Sequence, residues 1–309
     1  MELTAKPLRV DPARISGLSG KLVRSHYDNN YLGALARLNS IRKSLEASDW
    51  ESAPGFSLVG AKREELLAAN SVFLHEAYFG VLGGNGIIPA GGLSVAMERD
   101  FGSVENWRTE FASLAKAMGG GSGWAVLAWS ARDARLVNHW AGDHTQLLGG
   151  ASTLLALDMY EHAYHIDFGA AAGAYVDAFM AGIRWDIVAS AYARAIESAT
   201  FGLEVQPEEA VRESGSVMLD VRRRPIFDSA TEQVPGSEWR DPAQTSLWLQ
   251  KLDLSEKVIV YCVQGHEVSQ SIALVLDARG IQARYLKGGI DGWRSAGLPM
   301  QVKSDRVSK

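Results

Sequence analysis

Asp158 and His162 stand four residues apart in Asp158-Met-Tyr-Glu-His-Ala-Tyr164, the densest polar cluster of the chain. The cluster follows an apolar run containing Leu154, Leu155 and Leu157, so Asp158 is expected where a strand or loop enters a helix. At helical spacing its carboxylate and the imidazole of His162 can face one point. Such a pair is half of a site for a first-row transition metal. Two more histidines sit among apolar neighbours in helical patterns: His26 in Arg24-Ser-His-Tyr27 and His75 in Val72-Phe-Leu-His-Glu76. Three imidazoles and a carboxylate suit iron or manganese with an open coordination position. Periodicity alone leaves His26 and His75 open, because a histidine on an apolar helix face is more often a hydrogen-bonded core residue than a ligand.

A second chemistry is suggested by Cys262, the only cysteine, at the end of the apolar run Val258-Ile-Val-Tyr261. The loop Val263-Gln-Gly-His-Glu267 follows it, and a helix is expected from about Ser269. Loop N–H groups and a helix N-terminus favour negative charge, which would favour the thiolate and cradle an anion or a persulfide. The alternative for a strand-end cysteine is inert core filler.

These residues need two sets of elements to hold them. Residues 12–200 read as mostly helical, with amphipathic patterns over Gly20–Leu45, Glu64–Leu82 and Thr153–Tyr175 and a closing helix over Phe179–Ala199. Trp124–Trp129, a polar turn at Ser130–Arg135 and Leu136-Val137 predict a hairpin among those helices. After residue 202 the texture changes. Short apolar runs at Met218–Val221, Val258–Tyr261 and Ala283–Leu286 alternate with helical stretches at 208–213, 245–252 and 269–279, which predicts a parallel sheet covered by helices. Residues 201–207 read as a joint too short for a flexible tether. The polar tail from Ser304 lies outside the residues the structure describes.

Composition bounds the partners. A chain of 309 residues is long enough for two cores, and 47% apolar with 22% charged residues is the profile of a globular protein. A net charge of −5 without a long basic run argues against nucleic acid. No apolar stretch reaches the ~18–20 residues that span a bilayer. Charges at Glu2, Lys6, Arg9, Asp11 and Arg14 leave no room for the apolar core of a signal peptide. A single cysteine excludes an intrachain disulfide and fits a reducing compartment, hence a cytoplasmic protein.

Asp158-x-Tyr-Glu-His-Ala-Tyr164 resembles the signature of the iron/manganese superoxide dismutase family, with Tyr160 where Trp is usual. The resemblance extends over about 12–200 through Ser25-His26-Tyr27, Leu74-His75-Glu76, Gly121-Ser-Gly-Trp124 and Arg184-Trp185. It implies an α+β domain, a helical hairpin plus an α/β part, with His26, His75, Asp158 and His162 holding one iron or manganese ion per subunit. It also implies an antioxidant oxidoreductase that converts superoxide to dioxygen and hydrogen peroxide. By the same resemblance Tyr27, Trp124 and Asn30 surround the site, and Glu161 reaches across a homodimer to the partner's metal histidine. The chain departs from the family at Asn30 and Ala34, where a His and a gateway Tyr are usual, and at His165, where a Tyr is usual. The family pairs positions 30 and 165 between subunits, so those two changes read as coupled, and the altered gateway bears on the rate. The family also has a Gln or His that donates a hydrogen bond to metal-bound solvent. Ser71 is too short to reach that solvent, and His144 in Asp143-His-Thr145 is the candidate. His139 reads as a surface residue.

Leu219-Asp-Val-Arg222, Val234-Pro-Gly236, Val260-Tyr-Cys262 and Leu286-Lys-Gly-Gly-Ile-Asp-Gly-Trp293 resemble the rhodanese-like domain over about 203–302. The resemblance implies an α/β parallel sheet and a sulfurtransferase in which Cys262 carries sulfane sulfur as a persulfide from a donor to a thiophilic acceptor. No Arg follows the Cys as in many members. Val268 stands where the phosphatase-like relatives need Arg, so phosphate chemistry is not expected. Glu267 is expected to repel a dianion such as thiosulfate, favouring a protein or small-molecule persulfide as donor. Arg222, Arg223 and Arg224 are candidates for compensating charge, or part of a solvated face.

The whole chain therefore reads as two domains, 1–202 and 203–309, with the metal chemistry in the first and the thiol chemistry in the second. Two other functions fit the same residues. One is a metal-loaded dimerisation module of reduced dismutase activity carrying a sulfurtransferase; the other is a dismutase with a non-catalytic thiol sensor or binding domain.

Overall fold

A computed structural model describes residues 2–213, 215–253 and 255–303. The chain has two domains, an α+β part and an α/β part with a five-stranded parallel sheet. By packing it divides into two compact units, and the division does not follow the chain. One unit takes residues 1–88, 108–128 and 137–188, and the other takes 89–107, 129–136 and 189–309.

In the first unit one long helix is built in three pieces. Gly20–Ser25 is α-helical, its free N–H at Leu22 capped by the Ser19 hydroxyl at 3.1 Å. His26–Tyr31 is π-helical, and Leu32–Glu46 returns to α. In the π segment the Leu32 N–H donates to the Tyr27 carbonyl, five residues back, so the helix turns less per residue where His26 and Asn30 must be aimed. A second helix, Gly55–Gly80, follows Pro54 and carries His75 on the face that buries Val72, Leu74, Tyr78 and Phe79.

The predicted hairpin is present as strands Trp124–Ser130 and Arg135–Ala141, turning through Ala134 at φ 51°. All seven residues of the first strand are buried, which is why its sequence runs apolar without alternation. The third strand, Ala151–Asp158, corrects the expectation of a helix over Thr153–Tyr175. Leu154 to Leu157 form an unbroken buried run, and a run that short does not separate strand from helix by periodicity. The strand pairs beside Trp124–Ser130, giving the order second, first, third. The expected closing helix is also two helices, Ala172–Ala181 and Trp185–Ala199, interrupted at Gly182.

The parallel sheet lies in the second unit. Its strands run in the order Glu204–Val205, Gln282–Leu286, Lys257–Tyr261, Ser216–Asp220 and Glu238–Trp239, all neighbours parallel. The central strand Lys257–Tyr261 buries Val258, Ile259, Val260 and Tyr261, as a strand covered on both faces must. Two of the five strands are only two residues long, too short to register as apolar runs. Part of the expected joint is one of them: Glu204 and Val205 pair with Tyr285 and Leu286. Among the described residues no helix is long and apolar enough to cross a membrane.

Candidate functional site

The first unit brings His26, His75, Asp158 and His162 together, with one ligand atom of each within 4.8 Å of all the others. Three different backbone segments deliver them: the start of the π segment, the C-terminal part of Gly55–Gly80, and the end of Ala151–Asp158 with the 3₁₀ turn Glu161–Ala163 behind it. Asp158 and His162 thus converge across a strand end and a 3₁₀ turn, not across one turn of α-helix as their spacing suggested. Nε2 of His26, His162 and His75 lies 3.0, 3.1 and 3.5 Å from the same oxygen, Asp158 Oδ2.

The remaining polar atoms of the cluster are held by groups that aim it. Asp158 Oδ1 accepts the Tyr160 N–H at 2.9 Å, which leaves Oδ2 for the centre. His75 Nδ1 faces the Ser71 carbonyl at 2.7 Å; only a protonated Nδ1 can donate there, so Nε2 presents its lone pair. The Tyr175 hydroxyl donates to the Asp158 carbonyl at 2.9 Å and lies 3.2 Å from the Tyr78 hydroxyl. Sequence reasoning missed Tyr175 and the Ser71 carbonyl. The Ser71 contact had a signal, since position i−4 of a helical His lies under its ring, but Tyr175 is distant in sequence and had none.

The donor set fits a transition metal. His75 Nε2 is buried with no hydrogen-bond partner, a cost that a coordinate bond removes. His26, His75 and Asp158 are 1%, 2% and 0% exposed. Burial pushes the His75 pKa down to about 4, against the pull of Asp158, and lowers that of His26 in the same way. Burial alone would raise Asp158, yet the hydrogen bonds and charges of His162 and His26 outweigh it and hold the carboxyl well below its usual range. Neutral His26 and His75 beside an ionised carboxylate are the protonation states a metal requires of those ligands. For bonds of ~2.1 Å, ligands on one ion lie about 3.0–4.2 Å apart, so the cluster needs to close by only a few tenths of an ångström.

A cavity of about 410 Å³ opens onto the cluster and is lined by His75, His144 and His162 together with Asn29, Asn30, Gly33, Ala34, Arg37, Leu67, Ala68 and Ser71. Asn30 and Ala34 thus share its wall, and no large side chain stands at 34. His144 stacks on Tyr160 at 5.3 Å between ring centroids and lies 6.5 Å from the His75 ring. Its Nε2 is buried without a partner, and burial lowers its pKa despite Asp158 and Asp143. Tyr160 stacks in turn on His162 at 5.4 Å, and Trp124 packs edge-on to His75 at 5.2 Å. Tyr27 packs 5.4 Å from Phe79 and its hydroxyl donates to the Lys6 carbonyl. Glu161 and His165 are exposed beyond the cluster. His139 is partly buried in its strand, half-way between core and surface.

In the second unit Cys262 is 7% exposed at the end of Lys257–Tyr261. The helix Glu267–Asp277 starts after it, two residues earlier than expected, and Ser269 in its first turn donates its hydroxyl to Cys262 Sγ at 3.2 Å. The Cys262 and Val263 carbonyls accept the N–H groups of Ile290 and Asp291 at 3.0 and 3.1 Å. The N–H groups of Val263 to His266 have no carbonyl partner among the described residues. The loop therefore turns its carbonyls inward and keeps its donors for an anion. Gly265 and Gly289 make this possible at φ 71° and 57°: a Cβ on Gly289 would lie 2.5 Å from both the Cys262 and Val263 carbonyl oxygens. Arg222 does not supply charge to the loop. It is buried, forked onto Asp220 and bonded to the Glu232 carbonyl, while Arg224 lies over Trp239.

The family profile "Iron/manganese superoxide dismutases, C-terminal domain" matches residues 89–191, and the "Rhodanese-like domain" profile matches 207–296. The iron superoxide dismutase of Cupriavidus metallidurans is 56% identical over 191 residues, covering 62% of this chain and 96% of that protein. Superoxide dismutase [Mn] 2 of Halobacterium salinarum is 34% identical over 177 residues, 57% of this chain and 86% of that protein. The iron superoxide dismutase of Aquifex pyrophilus is 30% identical over 195 residues, 60% of this chain and 90% of that protein.

Proposed function

Because the chain belongs to the iron/manganese superoxide dismutase family, an oxidoreductase family, we propose that it disproportionates superoxide to dioxygen and hydrogen peroxide, and that its rhodanese-like domain transfers sulfane sulfur. The observation that carries the first activity is the convergence of three imidazole Nε2 atoms on Asp158 Oδ2 in a buried pocket. His26, His75 and His162 would hold one iron or manganese ion per subunit through Nε2, and Asp158 through Oδ2. Bound there, the ion would supply one-electron redox chemistry.

Everything else falls to the protein. Two superoxide anions and two protons give one dioxygen and one hydrogen peroxide, so the cavity must admit protons and orient what enters it. His144 fits the part of a hydrogen-bond donor there, because its unpartnered Nε2 is beside the cluster and Tyr160 fixes the ring plane. Trp124, Tyr78 and Phe79 pack on His26 and His75, wall off water and keep those two imidazoles neutral. Asn30 and Ala34 leave the mouth wide, and Glu161 and His165, both exposed, would meet a second copy in a homodimer.

At the second site Cys262 would attack the sulfane sulfur of a donor as thiolate. The donor's bond to that sulfur breaks, its electron pair leaves with the donor fragment, and a thiophilic acceptor then takes the outer sulfur of the persulfide and frees the thiolate. The vacant N–H groups of 263–266 and the Ser269 hydroxyl favour that thiolate. We infer a domain boundary between residues 202 and 203 and a cytoplasmic location, the latter supported by the lone thiol. Metal analysis of the purified protein, with superoxide turnover after iron and after manganese loading, tests the dismutase reading. A protein that binds either ion stoichiometrically and turns over no superoxide would refute it.

A further inference from the structure

In the second unit the helix Gly92–Phe101 meets the helix that begins beside Cys262. The Gly92 N–H, one of the unpaired donors at a helix N-terminus, donates to Glu267 Oε1 at 3.3 Å. The Glu267 side chain fills the space a side chain at position 92 would occupy, so a Cβ there would overlap its Cγ. Further along, Arg99, forked onto Asp100 at 2.7 Å, donates to the Ser271 hydroxyl at 3.4 Å. Glu267 sits two residues before Ser269, whose hydroxyl touches Cys262 Sγ, and so lies in the same first helical turn as the thiol's own hydrogen-bond donor. A carboxylate in that turn is expected to repel an anionic donor. Here it is engaged by the positive end of another helix.

We propose that Glu267 is a positioning residue that sets donor selectivity at Cys262: anchored on the Gly92 N–H, it keeps its charge out of the loop's anion cradle, so the thiol accepts anionic sulfur donors. The helix that anchors it lies within the span matched by the dismutase profile, so one family's segment tunes the other family's site. The inference rests on the sulfurtransferase reading for its biological meaning but not for its test. With thiosulfate, the Cys262 thiolate takes the outer sulfur, the donor's S–S bond breaks, and sulfite leaves with the electron pair.

Iodoacetate and iodoacetamide both consume the thiolate, so the ratio of their rates cancels thiolate population and loop exposure and leaves local charge. Cys262 is the only cysteine, so labelling of the full-length protein is unambiguous. Gly92→Ala should displace Glu267 and lower the iodoacetate/iodoacetamide ratio at least about threefold at low salt, the scale of one nearby charge near a protein surface. Thiosulfate KM should rise with it, while superoxide turnover stays at the wild-type value. Glu267→Gln should give a ratio at or above wild type, and Gly92→Ala in that background should change nothing further. An unchanged ratio in Gly92→Ala, or an equal fall with Gln at 267, overturns the proposal. A wild type that transfers no sulfur from thiosulfate to cyanide, with the ratio shifting as stated, would remove the sulfurtransferase reading and leave the positioning role standing.

Discussion

The metal cluster draws on residues 26, 75, 158 and 162, carried by three backbone segments that meet only when the first unit packs. The thiol site lies between Cys262 and Ser269 on one strand, one loop and one helix start, with Ile290 and Asp291 tying the loop down. The first is a contest between burial and charge, settled by mutual hydrogen bonds among titratable groups. The second contains a single nucleophile, and backbone N–H groups supply the electrostatics. A site assembled from distant segments should fail globally when one ligand is lost, whereas a local site should fail chemically and leave the fold intact.

Substitutions at five positions break or sharpen that contrast. Cys262→Ser should abolish sulfur transfer and leave superoxide turnover unchanged, since the two sites use different residues and different chemistry; parallel assays of both activities check it, and a large loss of dismutase activity would mean the sites are coupled. His75→Ala or Asp158→Ala should lose most bound metal and lower the Tm, because the ion stabilises only the folded state. Elemental analysis with thermal denaturation reads both, and stoichiometric metal in purified His75→Ala would remove it from the ligand set.

His144→Ala should keep its metal and lose at least about tenfold in superoxide turnover, ~1.4 kcal/mol of transition-state stabilisation. His144→Gln should retain more activity, since an amide also donates. Wild-type rates in both would show a histidine without a role at the cluster. Ser269→Ala should slow sulfur transfer by about fivefold, the loss of one hydrogen bond worth ~1 kcal/mol, with the Tm within a few degrees of wild type. Single-turnover persulfide formation measures it, and an unaltered rate would deny the hydroxyl a part in holding the thiolate.

Residue types and their order determined much of this protein. Asp158-x-Tyr-Glu-His with two earlier helical histidines identified the metal chemistry, and the strand-end Cys262 with Gly288-Gly289 identified the thiol domain, because ligands and nucleophiles are chemically scarce groups. The buried strand Lys257–Tyr261 and the hairpin were legible from their apolar runs and turn residues. Thr153–Leu157 was not, since a short buried run has the same composition in a strand as in a helix and only pairing beside Trp124–Ser130 decides between them. The two-residue strands at 204–205 and 238–239 owe their existence to neighbours already in the sheet. Tertiary structure alone chose which atoms point inward: Tyr160 N–H takes one Asp158 oxygen, Ser71 fixes the His75 tautomer, and Tyr175 holds the strand end. It also gave Glu267 a partner at Gly92, turning a charge that sequence set against the thiol site into one held by another helix. Sequence names the groups that can react, but hydrogen bonds between residues far apart in the chain settle which atoms remain free to do so.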